Sequence, residues 1–224
     1  KEKGIDDVLV VTDSGLMRLD FLAARVHGPM AQVLYFINKG VSLMLGDDVR
    51  SHGSGNAGLT NFIRSYGTGR AALVILIDTG KAVLACVLSG LLLASYGLEL
   101  QGRMLGGLFV LLGHIYPALQ GFKGGKGILS GWFIAWTVDW RIALAVGLVF
   151  FAVYFLTKYV SLGSVLGVIT FGIGFVVIYH NDVRIWLTGL LMSCLCVFAH
   201  RSNILRLLRG QERKTELFSK GKHQ

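Results

Sequence analysis

The sequence predicts an all-α, polytopic membrane helix bundle of about seven transmembrane helices, with its polar loops gathered at one face. Three observations carry that expectation. Hydrophobic residues make up 53% of the 224-residue chain and charged residues only 16%, against about 25% charged in an ordinary soluble domain. Apolar stretches recur along most of the length, separated by short polar turns. Lys and Arg fall unevenly between alternate turns, the asymmetry that orients membrane proteins. In so apolar a chain, the net charge of +9 points to anionic lipid and anionic substrates, and away from nucleic acid. Cys86, Cys194 and Cys196 lie in apolar runs without CxxC spacing. That reads as buried free thiols, not as a disulfide framework or a zinc site.

In chain order, residues 1–29 form a mixed polar N-terminal segment with no signal-peptide pattern. Because they open on lysine, a trimmed or incomplete N-terminus is expected. Residues 30–46 are the first apolar stretch, interrupted by Asn38 and Lys39. A lysine near the bilayer centre costs ~3 kcal/mol, so a re-entrant or surface-lying helix is the alternative to a span. Residues 47–70 are polar and glycine-bearing, too broken to cross. Residues 71–98 are a clear span. They carry Asp78 and Lys81 three positions apart on one helical face, a spacing that suits an intramembrane ion pair turned toward other helices. Further apolar runs follow at 104–120, 128–138, 142–157, 162–179 and 185–199. Several are shorter than the ~20 residues of a straight span; Trp132, Trp136, Trp140, Tyr154, Tyr159 and Trp186 stand near their ends, where interfacial aromatics complete a span. The expected division is a membrane domain over 30–210 and a basic tail over 211–224.

With seven spans, the turns at 47–70, 121–127, 158–161 and 200–224 share one face and hold thirteen Lys and Arg, against three in the opposite turns. That bias places the first group in the cytoplasm. The N-terminal Lys1, Lys3, Arg18 and Arg25 run against it.

Three polar segments converge on that face. The first runs from Ser54 through Asn56, Thr60 and Asn61 to Arg64. The second holds His114, Pro117 and the loop Gly121-Phe122-Lys123-Gly124-Gly125-Lys126-Gly127. The third holds His200, Asn203, Arg206 and Glu212. Glycine allows tight turning and close backbone approach, successive N–H groups form an anion-binding concavity, and lysine adds compact charge. Around such a loop, hydroxyl, amide, imidazole and guanidinium groups suit a phosphorylated substrate. Each segment also has a plain reading: a capped turn for Ser54–Asn61, an interfacial helix end at His200, a lipid-binding basic tail after Arg206. The glycine loop is not a GxxxxGK[ST] phosphate loop, since Gly127 follows Lys126. No acidic cluster has the look of a metal cage.

SGNAGLTN with Arg64, GH..P....FKGGKG, and H..N..RLL.G.E resemble, in order and spacing, the three signature blocks of the bacterial acyl-phosphate:glycerol-3-phosphate 1-O-acyltransferases. DTGK at 78–81 resembles that family's second helix, and the likeness runs from about residue 32 to 214. Ile128-Leu129-Ser130 departs from the small, threonine-containing continuation usual after the loop.

The resemblance implies transfer of a fatty acyl group from acyl phosphate to the sn-1 hydroxyl of glycerol 3-phosphate. It implies no cofactor and no metal, an inner-membrane location with the site facing the cytoplasm, and a functional link to an enzyme that makes acyl phosphate. Carried over by motif, Ser54, His200 and Asn203 are the expected catalytic positions. Asn56, Asn61, Arg64, His114, Lys123, Gly124, Gly125, Lys126, Gly127, Arg206 and Glu212 are the expected substrate-binding ones. His200 is the candidate to deprotonate the attacking hydroxyl; the alternative acceptor is the acyl phosphate's own phosphate, with His200 and Asn203 positioning it. Ser54 is expected to hydrogen-bond and not to carry the acyl group, because no G-x-S-x-G elbow surrounds it. The rival reading is a transporter of anionic solutes with Asp78, Lys81 and His114 along its path. It lacks an inverted repeat, and its strongest polar blocks sit at one face instead of the midplane.

Overall fold

The computed structural model describes residues 58–66, 68–118 and 122–215, all of whose regular structure is helical. The helices are α1 (Leu59–Tyr66), α2 (Thr68–Ala94), α3 (Glu99–Ile115), α4 (Ile128–Val138), α5 (Trp140–Thr157), α6 (Val160–Ile178), α7 (Val183–Ala199) and α8 (Arg201–Leu208). The stretch 30–46, and with it the first expected span, lies outside the described residues, as do Ser54 and Asn56.

Local sequence sets the helix ends. Asp139 and Asp182 accept the N–H groups of Arg141 and Arg184 at 2.9 and 3.0 Å, capping α5 and α7. Lys158 ends α5 in the left-handed region at φ 63°, and Gly127 opens α4 at φ 75°. Small residues let backbones meet: a β-carbon at Gly102 or Gly106 would collide with the Ser89 or Ala85 carbonyl across the α2–α3 seam. Around that seam Ala82, Cys86, Met104, Ile134, Phe175 and Met192 are fully buried. Leu148, Leu156 and Val177 point outward, as lipid-facing side chains do. Cys86 and Cys196 are buried free thiols as expected, whereas Cys194 is exposed on the outer face of α7.

Among the described residues, three helices are long and apolar enough to cross a bilayer: Val74–Ala94, Trp140–Thr157 and Val160–Ile178. A fourth is reached if α7 and α8, bent by 58° at His200, count as one broken span. The seven-span expectation is thus not confirmed among the described residues. The run at 104–120 ends as a helix at Ile115, and the run at 128–138 is only 11 residues long.

The ion pair expected within the second stretch is present. Lys81 Nζ meets Asp78 Oδ1 at 2.5 Å, both side chains almost wholly buried. At the end of the bundle away from the glycine loop, polar side chains tie helix ends together. Gln101 Nε2 donates to Asp182 Oδ2 at 2.6 Å, and Tyr179 Oη donates to Asp139 Oδ2 at 3.0 Å. The Arg141 guanidinium bonded to Asp139, helped by its N–H and Tyr179 and only partly opposed by burial, holds that carboxyl below the usual range.

Candidate functional site

One cavity of about 780 Å³ opens at the glycine-loop end, within the ~300–1,000 Å³ usual for ligand sites. Its walls come from all three polar segments. Thr60 and Asn61 line it from α1; His114, Lys126 and Gly127 from the end of α3 and the loop; His200, Asn203, Arg206 and Glu212 from the α7–α8 break and beyond. These side chains are far apart in sequence and share one space because α7 stops at His200, α8 leaves at 58°, and the chain after Gly210 turns back. The return is fixed by hydrogen bonds. Gln211 N–H donates to the Arg206 carbonyl at 2.8 Å, and Thr215 N–H to the Lys158 carbonyl at 3.0 Å.

The polar mouth has defined donor and acceptor roles. His200 Nδ1 lies 2.8 Å from the Cys196 carbonyl. A carbonyl only accepts, so Nδ1 carries the proton and Nε2 of the neutral ring keeps its lone pair. Asn203 Nδ2 donates to Glu212 Oε1 at 2.8 Å, and Arg206 Nε donates to Glu212 Oε2 at 2.7 Å. The carboxylate therefore fixes the flip of the amide. Asn203 Oδ1 is left buried with no hydrogen-bond partner among the described residues, an acceptor that a substrate donor would satisfy. Burial raises the Glu212 pKa, but the hydrogen bonds from Asn203 and Arg206 and the Arg206 charge outweigh it and hold the carboxyl below its ordinary range. Glu212 is thus an anion at neutral pH, and it offsets part of the charge of Arg206.

The glycine loop takes a different part from the one its composition suggests. Gly124 N–H donates to the Ile115 carbonyl and Gly125 N–H to the His114 carbonyl, both at 3.1 Å. These two amides close the open end of α3 and do not line the cavity. What reaches the cavity is Lys126, Gly127 and the first turn of α4, Ile128 to Ser130. Gly127 has no side chain to cap that turn, so the positive end of α4 faces the space where an anion is favoured. Gly125 is required for closeness: a β-carbon there would overlap the His114 imidazole. Lys123 is exposed and stands outside the cavity wall. Arg64 belongs to α1, which borders the cavity through Thr60 and Asn61.

Below the mouth the walls turn apolar. Val146, Phe150 and Phe151 of α5 face Gly167, Val168 and Phe171 of α6, forming a slot at the glycine-rich stretch of α6. Sequence reasoning missed Ser130, Ser161, Ser164 and Arg213, which also line the cavity. The only available signal was two serines three apart at the start of an otherwise apolar run.

Comparison with known proteins gives the same answer from three directions. The sequence profile of the glycerol-3-phosphate acyltransferase family matches residues 33–210. A glycerol-3-phosphate acyltransferase of Thermoanaerobacter sp. (strain X514) is 42% identical over 167 residues, covering 75% of this chain and 81% of the relative. Crystal structures of PlsY (YgiH), an integral membrane glycerol 3-phosphate acyltransferase, superpose with a TM-score of 0.76. The glycerol 3-phosphate form is 29% identical, over 91% of this chain and 98% of that one. The lysophosphatidic acid form is 27% identical, over 88% and 96%.

Proposed function

Because this chain belongs to the glycerol-3-phosphate acyltransferase family, we propose that its cavity joins glycerol 3-phosphate to an acyl group delivered as acyl phosphate. The protein is a membrane enzyme of phospholipid synthesis that acylates glycerol 3-phosphate and yields lysophosphatidic acid. The observation that carries the proposal is the shared cavity, where Asn61, Lys126, His200 and Asn203 meet above an apolar slot.

Acyl phosphate is a mixed anhydride, so its phosphate is already a good leaving group. The task left to the protein is to bring two anions together and orient a hydroxyl toward a carbonyl. In favourable intramolecular comparisons, orientation alone is worth about 7–11 kcal/mol. Lys126 and the first turn of α4 hold the acyl phosphate's phosphate, with the acyl chain in the slot between α5 and α6. Arg206, Arg213 and α1 with Arg64 receive the phosphate of glycerol 3-phosphate. Asn203 Oδ1 accepts a hydrogen bond from a glycerol hydroxyl, and His200 Nε2 takes the proton from the attacking one. The hydroxyl oxygen bonds to the acyl carbon, the bond from that carbon to the phosphate oxygen breaks, and inorganic phosphate leaves. Positive charge at Lys126 and the α4 terminus stabilises the departing anion. Ser54 and Asn56, outside the described residues, serve in this reading as hydrogen-bonding groups for the substrates. The basic excess of the segment from residue 200, with Arg206 and Arg213 lining the cavity, supports a cytoplasmic mouth.

The test is an assay of purified protein with glycerol 3-phosphate and either palmitoyl phosphate or palmitoyl-CoA, following phosphate release and lysophosphatidate. Acyl phosphate is expected to support turnover and acyl-CoA to give none. Turnover with acyl-CoA, and none with acyl phosphate, would overturn the choice of donor.

A further inference from the structure

Beneath the glycine loop lies a buried charge cluster that the reaction chemistry does not use. Lys81 is 2% exposed. Its ammonium meets Asp78 Oδ1 at 2.5 Å and His114 Nδ1 at 2.7 Å, the second contact joining residues 33 positions apart. An ammonium only donates, so His114 accepts at Nδ1 and its neutral ring carries the proton on Nε2. That Nε2 edge abuts Gly125, leaving no room for a β-carbon. The His114 carbonyl takes the Gly125 N–H at 3.1 Å, so ring and backbone of one residue grip the same glycine. A second link runs from Asp78, whose carbonyl accepts Ser130 Oγ at 3.1 Å in the first turn of α4. The ion cluster thus ties α2 to the end of α3 and to the loop, and the Asp78 backbone ties α2 to the start of α4.

We propose that Lys81 is a positioning residue for the acyl phosphate's phosphate. Through His114 it sets the height of Gly125, while the Asp78 backbone carbonyl, through Ser130, holds the start of α4 on the same turn of α2. Lys126 and Gly127 lie between those two anchors, so the cluster fixes where the loop's cation and the α4 terminus stand relative to His200. The proposal rests on the reading that this loop handles the donor phosphate.

A buried ion pair is open to a clean test, because replacing both partners together by uncharged groups of similar size is often tolerated. The variant carries Asp78→Asn and Lys81→Met. It is compared with wild type for thermal stability in detergent and for KM of palmitoyl phosphate and of glycerol 3-phosphate. A positioning role predicts a stable protein whose KM for palmitoyl phosphate rises by about 10- to 100-fold while KM for glycerol 3-phosphate stays near wild type. Unchanged KM values, or a loss shared equally by both substrates, would overturn it. If the double variant does not assemble, His114→Asn carries the test: it keeps an acceptor for Lys81 and removes the edge that abuts Gly125. The same selective rise supports the proposal, and unaltered kinetics reject it. A wild-type enzyme that ignores palmitoyl phosphate would refute the donor assignment instead. A wild-type enzyme that uses it, with variants that match it, would refute the positioning role alone.

Discussion

Replacing His200 with Ala is expected to lower turnover by about 100- to 10,000-fold, the range of a lost general base, while the protein stays folded in detergent. The expectation follows from the tautomer. With Nδ1 committed to the Cys196 carbonyl at 2.8 Å, the Nε2 lone pair is the basic atom that His200 offers to the cavity it lines. The fold depends on this side chain much less. Its one described hydrogen bond is to a carbonyl in its own helix, and the helix end is also closed by the His200 backbone N–H at the Cys196 and Val197 carbonyls. Steady-state turnover beside a thermal melt reads the two effects apart. Near-native turnover in a folded variant would take His200 out of the proton path and leave the departing phosphate as the acceptor.

The second large effect is expected from Gly125→Ala. A single added methyl would overlap the His114 imidazole, and that ring cannot swing away freely because Lys81 holds its Nδ1 at 2.7 Å. Relief therefore comes from movement of the loop, which carries Lys126 and Gly127 away from the cavity. A displacement near 1 Å at a reacting group costs about 100-fold in rate, so kcat/KM for acyl phosphate should fall by that order. Kinetics with each substrate varied in turn provide the check. Values unchanged for both would mean the loop does not handle the donor phosphate.

The sequence was legible where chemistry is written locally. Four glycines and two lysines in seven residues marked the loop between Gly121 and Gly127, and polar blocks on both sides of apolar runs marked the two other walls. The pairing of Asp78 with Lys81 was readable because three positions make neighbours on a helix. The third member, His114, was not, since its approach depends on how α2 and α3 pack over glycines 102 and 106.

Composition also misassigned the loop's amides. Glycine-rich turns present N–H groups, but α3 ends in open carbonyls at His114 and Ile115, and the nearest donors, Gly124 and Gly125, close them. The donor end of α4 faces the cavity in their place. The number of spans stays unconfirmed for a different reason. Apolar runs were counted as crossings, while the folded chain shortens the run at 104–120 to end at Ile115, and the run at 128–138 is only 11 residues. The apolar slot likewise could not be read from either helix alone, because Phe150 and Gly167 face each other only once α5 and α6 are packed.

The central claim is spatial: two phosphates and one acyl chain occupy a single cavity walled by three separated segments. A crystal structure with glycerol 3-phosphate and a non-hydrolysable acyl phosphonate tests it most directly. One phosphorus centre should lie against Lys126 and the first turn of α4, the other near Arg206, with the acyl chain between α5 and α6 and a glycerol hydroxyl within reach of His200 and Asn203. Head groups found at opposite ends of the bundle, or an acyl chain outside the α5–α6 slot, would contradict it.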